Sequence, residues 1–115
     1  MIITYKVNRF AEKAGVNIPV EIFSTKLSPS EAVTKYLKEN KELTLSQIGK
    51  LLNRDQRGIW GSYARAKKKQ TEPFTITKEH IVPCSIFTER KFSIFESLVQ
   101  HLVHEQNFKI AQISQ

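Results

Sequence analysis

A segment of this chain occurs twice, and that repetition constrains the fold more than any other feature of the sequence. Ile18-Pro19-Val20-Glu21-Ile22-Phe23-Ser24-Thr25-Lys26 is answered by Val82-Pro83-Cys84-Ser85-Ile86-Phe87-Thr88-Glu89-Arg90. After one extra residue, Lys91, Leu27-Ser28-Pro29-Ser30-Glu31-Ala32-Val33 is answered by Phe92-Ser93-Ile94-Phe95-Glu96-Ser97-Leu98. A third block, Leu43 to Lys50, answers Phe108 to Gln115, so the period is about 65 residues. The first copy continues into Leu51-Leu52-Asn53-Arg54, and the second stops at Gln115. The second unit is therefore expected to lack its last helix. Either the chain is part of something longer, or the second unit has become a different module. The organisation expected is an arm or short helix over 1–17, a first unit over 18–70, a linker over 71–81 and an incomplete second unit over 82–115.

Within the first unit the helix signals are local. Ser28 and Glu31 have capping-box spacing, and Pro29 takes the first helical position, where a missing N–H costs nothing. A helix is expected from there to about Asn40, with Ala32, Val33, Tyr36 and Leu37 as its apolar stripe and Lys35, Lys38 and Glu39 on or near the other face. Thr44 can cap a second helix whose buried side is Leu45, Ile48, Leu51 and Leu52. Gly49 inside that helix points to close approach by another backbone, and Asn53 is a residue that enters left-handed geometry readily. Asp55 can cap a third helix running to about Lys68, with Ile59, Tyr63 and Ala66 inward and Trp60 in the core or at its rim.

Charge singles out the same region. The net charge is +7, and residues 50–69 alone contribute +6, through Lys50, Arg54, Arg57, Arg65, Lys67, Lys68 and Lys69 against Asp55. Three helices, a tight turn between the last two and a basic third helix describe a helix-turn-helix. Over Leu27 to Lys69 the residues resemble the C-terminal helix-turn-helix of bacterial sigma factors (region four) and the LuxR-type response-regulator domain. The resemblance rests on Leu43 to Asp55, which sit where the family places its second helix and turn. It rests also on Ile59, Tyr63, Arg65, Ala66, Lys67 and Lys68, where the recognition helix ends in a basic tail. It implies a mainly α fold, one three-helix unit followed by a partial second repeat.

The resemblance also implies roles. Gln56, Arg57, Trp60 and Ser62 would form the major-groove face, with Arg57 the foremost base-contacting candidate, since arginine pairs with guanine and glutamine with adenine. Lys50, Arg54, Arg65, Lys67, Lys68 and Lys69 would contact phosphates, which position a protein without reading sequence. Two departures stand out. Arg54 replaces the apolar residue usual after the turn, and Gly58 and Gly61 lie within the presumed recognition helix. The glycines either admit close approach to phosphate or weaken DNA binding by this unit alone.

The rest of the sequence narrows the alternatives. His101 and His104 are three apart, but no cysteine is near and periodicity directs Glu105 elsewhere, so no metal or other cofactor is expected. Cys84 matches Val20 in the repeat and is read as a small buried apolar residue. No phosphate loop or nucleophile–base arrangement occurs, and enzymatic activity is not expected. No apolar run is long enough to span a membrane and no signal peptide opens the chain, which points to a cytoplasmic protein. Phe74, Ile76, Ile81 and Val82 read as an extended linker, and Tyr5 to Gly15 as a short helix or arm anchored by Phe10. In the second unit Phe87, Phe92, Phe95, Leu98, Val99, Leu102 and Val103 form a stripe too wide for its own chain to cover. It is expected to pack on the first unit or on a second copy of the protein. The function expected is binding of double-stranded DNA, as a transcriptional regulator. The alternatives are a protein-interaction adaptor of helix-turn-helix shape and the DNA-binding portion of a recombinase or transposase.

Overall fold

The two copies of the repeat meet each other. β1 (Asn17–Pro19) and β2 (Ile81–Pro83) form a two-stranded antiparallel sheet in which Ile18 lies opposite Val82. Those two residues are also each other's counterparts in the repeat, so the pairing is symmetric about them. The flanking bonds obey the same symmetry: Val20 N–H donates to the His80 carbonyl at 2.9 Å, and Cys84 N–H to the Val16 carbonyl at 2.7 Å. A local two-fold axis therefore passes between Ile18 and Val82, both without solvent exposure. Each strand runs into a 3-10 turn, Val20–Ser24 and Cys84–Phe87. The counterpart rings Phe23 and Phe87 meet with centroids 6.4 Å apart. The turns end alike, Ser24 Oγ donating to the Glu21 carbonyl and Thr88 Oγ1 to the Ser85 carbonyl, each at 2.9 Å. The computed structural model describes residues 15–77 and 80–114; the expected N-terminal helix or arm lies almost wholly outside them.

The molecule is mainly helical. α1 (Pro29–Lys35) starts at the Ser28 capping box and continues as a π-helical turn, Tyr36–Asn40. Chain reversal follows at Glu42, whose φ is 58°. α2 (Leu45–Leu52) starts at a second capping box, Thr44 with Gln47. It ends at Asn53, left-handed with φ 57° and ψ 49°. α3 (Gln56–Lys69) follows after two residues, its first turn capped by Asp55, whose Oδ1 accepts from Arg57 N–H at 3.0 Å. Gly49 is where the turn closes: its carbonyl accepts from Arg54 N–H at 2.8 Å, and a Cβ there would stand 3.0 Å from the Arg54 carbonyl oxygen. The apolar core joins Val33, Leu37, Ile48, Leu52 and Ile59 of the first unit to Cys84, Phe87, Ile94 and Leu98 of the second.

Several expectations change. The 71–81 segment does not simply link two units. Phe74 and Ile76 pack against the core, Asn40 Nδ2 donates to the Phe74 carbonyl at 2.9 Å, and Ile81 enters the sheet. Lys35 is not on an outer face: it is buried and pairs with Glu39 at 2.5 Å, an i,i+4 pair that joins the end of α1 to the turn that follows it. The third repeated block differs in structure. Residues 108–114 continue α4 (Ile94–Ser114), whereas their counterparts form the separate helix α2. Lys109 stands where Thr44 caps α2, so the second copy has no side chain of that kind to start a new helix. Of the second unit's stripe, Phe87, Ile94 and Leu98 pack inward, while Phe95, Val99 and Val103 remain exposed.

Candidate nucleic-acid interface

The back of α3 is held by α1. Ile59, Ser62 and Ala66 are buried against it, and Ser62 Oγ lies 3.3 Å from Ser30 Oγ. Beneath this contact Glu31, only 3% exposed, gathers four groups. It accepts from Ser28 N–H at 3.0 Å, Arg65 Nε at 3.2 Å and Lys69 Nζ at 2.9 Å, while its own N–H reaches Ser28 Oγ. Burial alone would raise its pKa, but the Ser28 N–H and the Lys69 and Arg65 cations outweigh it and hold the carboxyl at about 2. Tyr63 is half-buried and donates to Glu39 Oε2 at 2.9 Å; burial and that carboxylate both raise its pKa.

This packing leaves one stripe of α3 facing outward. Arg57, Trp60, Ala64, Lys67 and Lys68 recur at helical spacing, with Gln56 beside them at the first turn. Trp60 is 63% exposed, which corrects its expected place in or at the rim of the core. The helix is turned slightly from the sequence reading. Ser62 shares the inner face with Ile59 and Ala66, Tyr63 lies at its edge, and Trp60 is carried outward. Lys67 Nζ lies 5.8 Å above the Tyr63 ring, and Lys67 and Lys68 remain exposed. Lys50 is exposed on α2, sharing a shallow concavity with Gln56 and Arg90. Cys84 behaves as expected of a buried apolar residue, and burial pushes its thiol up to about 12.

Four expected DNA contacts have other partners. Ser62 is buried beneath α3 and cannot reach a base without unpacking the helix from α1. Arg65 and Lys69 both pair with Glu31, whose single negative charge offsets only part of theirs. Arg54 reaches into the second unit: Nη2 donates to the carbonyls of Phe87 and Phe92, each at 2.9 Å, with Glu89 at 3.4 Å and Arg90 at 3.5 Å from Nη1. Asn53 Nδ2 adds a bond to the Thr88 carbonyl at 2.9 Å. Burial, and after it Arg90, lower the Arg54 pKa. The turn of the first unit thus clasps the 87–92 loop of the second, an arrangement that sequence reasoning missed. Arg54 itself was the signal, a cation where the resembling family places an apolar residue.

The histidines also differ from expectation. Glu105 lies 3.5 Å from His101 Nε2 and 3.7 Å from His80 Nε2, so it is not directed away from them. Among the described residues no cluster of His, Cys, Asp and Glu has the make-up of a metal site, and no helix is long and apolar enough to cross a membrane. Comparison with known proteins finds no matching family model, no matching curated protein and no matching solved structure.

Proposed function

We propose that the protein binds double-stranded DNA by laying the outer stripe of α3 in the major groove, as a transcriptional regulator. The observation that carries this reading is the stripe itself, a solvent-facing row of Arg57, Trp60, Lys67 and Lys68 on a helix whose opposite face is locked to α1. The helix follows a three-residue turn closed on Gly49, the helix-turn-helix geometry in which the second helix of the pair enters the groove. Base contact falls to Gln56 and Arg57, and Trp60 stacks on a sugar or base edge. Phosphate contact falls to Lys50, Lys67 and Lys68, with Arg90 of the second unit beside Lys50. Apart from its chain neighbours and the backbone of its own helix, no described atom lies within 4 Å of where a Gly58 Cβ would stand. Packing within the chain does not require glycine there, and the open space suits approach by an external surface.

A protein-interaction reading is favoured by one feature, the exposed Trp60, since aromatic side chains are enriched at the centres of protein interfaces. Fluorescence anisotropy with random-sequence duplexes separates the two readings. DNA binding predicts that Arg57→Ala and joint neutralisation of Lys67 and Lys68 abolish complex formation while leaving the melting temperature unchanged, because all three side chains are exposed. An adaptor would bind no duplex even at low salt.

A further inference from the structure

The two copies of the repeat differ by one inserted residue, Lys91, and the insertion falls where the second unit meets the α2–α3 turn. In the first copy Thr25-Lys26-Leu27 forms a bend. In the second, Glu89 to Phe92 closes a β-turn: Phe92 N–H donates to the Glu89 carbonyl at 3.2 Å, and Arg90 and Lys91 take the two corner positions. Asn53 and Arg54 hold this turn from within. Between them their side chains donate to the carbonyls of Phe87, Thr88, Glu89, Arg90 and Phe92. The carbonyls are drawn inward, and the side chains of residues 88–91 are all exposed.

The exposed side chains of the turn separate by charge. Glu89 lines a depression with His101 and His104, on the α4 side. Lys91 leans over the Phe92 ring, its Nζ 5.3 Å from the centroid. Arg90 instead lines the concavity that contains Ser46 and Lys50 of α2 and Gln56 of α3. Lys50, Arg54 and Arg90 bring three cations to that concavity against one carboxylate, Asp55, whose Oδ1 caps α3 through Arg57 N–H. None of the three cations forms an ion pair among the described residues. The Arg54 Nη nitrogens are occupied by carbonyls. Lys50 and Arg90 are left, one from each unit, beside the first residue of α3. Paired cations without a protein counter-charge suit an external anion, and arginine is well shaped for phosphate.

We infer that Lys50 and Arg90 together grip one backbone phosphate of the duplex next to Gln56, and that Arg54 is the positioning residue that brings the second unit's arginine to it. The inference rests on the DNA reading proposed above and gives the second unit a part in it. The full chain and its variants are titrated with random-sequence duplex in a salt series, read by fluorescence anisotropy. Arg90→Gln, at an exposed position, leaves the melting temperature unchanged, weakens binding at low salt by about tenfold and makes the log–log slope shallower by about 0.9. Lys26→Gln removes the same charge at the counterpart position of the first copy, also exposed, and leaves affinity and slope unchanged. Arg54→Lys keeps the charge but cannot span the turn's carbonyls. It reproduces the Arg90→Gln change in slope, and combining the two substitutions adds nothing further. A wild-type chain that binds with a slope unaltered by Arg90→Gln, or an Arg90→Gln loss no greater than that of Lys26→Gln, overturns the inference and leaves the DNA reading standing. Additive losses for Arg54→Lys and Arg90→Gln overturn the positioning role. No binding by the wild-type chain at low salt overturns the DNA reading and the inference with it.

Discussion

At the scale of single residues, Glu31 explains why the basic tail of α3 is less free than its sequence suggests. Arg65 and Lys69 converge on this one buried carboxylate, which also completes the α1 capping box. Its pKa falls from 4.5 to about 2 on folding, so ionised Glu31 stabilises the folded state. That contribution is present above pH 4.5 and is lost as pH falls through the interval down to about 2. Replacement by glutamine is expected to cost about 2 kcal/mol at neutral pH, discounted for the half-exposed cations. It should also flatten the acid dependence of stability across that interval, as read by urea denaturation at a series of pH values. Some of this was legible in the sequence. Ser28, Thr44, Asn53 and Asp55 act within three or four residues of themselves, and their spacing specified caps and turn correctly. The burial of Lys35, the Glu31 cluster and the reach of Arg54 depend on partners up to 38 residues away, and no local pattern encodes them.

At the scale of elements, the geometry of α2 and α3 is fixed by a single close contact. The Gly49 Cα hydrogen faces the Arg54 carbonyl, and a methyl group there would stand 3.0 Å from a backbone oxygen that has little freedom to move. Gly49→Ala is therefore expected to destabilise the fold by about 1–3 kcal/mol despite alanine's better helix propensity, as measured by thermal or chemical denaturation. The outward stripe of α3 follows from the phase of its inner face. Sequence periodicity selected Ile59, Tyr63 and Ala66 as that face, but Ser62 lies deeper than Tyr63 because its hydroxyl finds Ser30. A buried serine gives no hydrophobic signal, and the small rotation it marks carries Trp60 into solvent.

At the scale of the whole molecule, the repeat becomes a local two-fold arrangement, with the strands, 3-10 turns and Phe23–Phe87 contact shared across the axis. Arg54 and Asn53 then break the symmetry by clasping the 87–92 loop. Arg54→Ala is expected to cost about 2 kcal/mol, since it leaves the Phe87 and Phe92 carbonyls without their donor, and to increase amide exchange in 87–92. Hydrogen-exchange mass spectrometry reads both effects. The exposed Phe95, Val99 and Val103 occupy the places of Ser30, Thr34 and Lys38, and Ser30 meets α3 through Ser62. A second copy covering this face with its own α4 is expected to give concentration-dependent association in sedimentation velocity, which Val99→Glu abolishes.

On the proposed reading, the outer stripe of α3 grips duplex DNA with few free cations. Lys50, Lys67 and Lys68, with Arg90, remain for phosphate, whereas Arg54 is engaged by the 87–92 loop and Arg65 and Lys69, although half-exposed, are paired with Glu31. The most direct measurement is duplex affinity as a function of salt concentration. Clear binding at low salt and a log–log slope per monomer between about −3 and −4 are expected. No binding at low salt, or binding that salt leaves unchanged, would contradict the proposed reading.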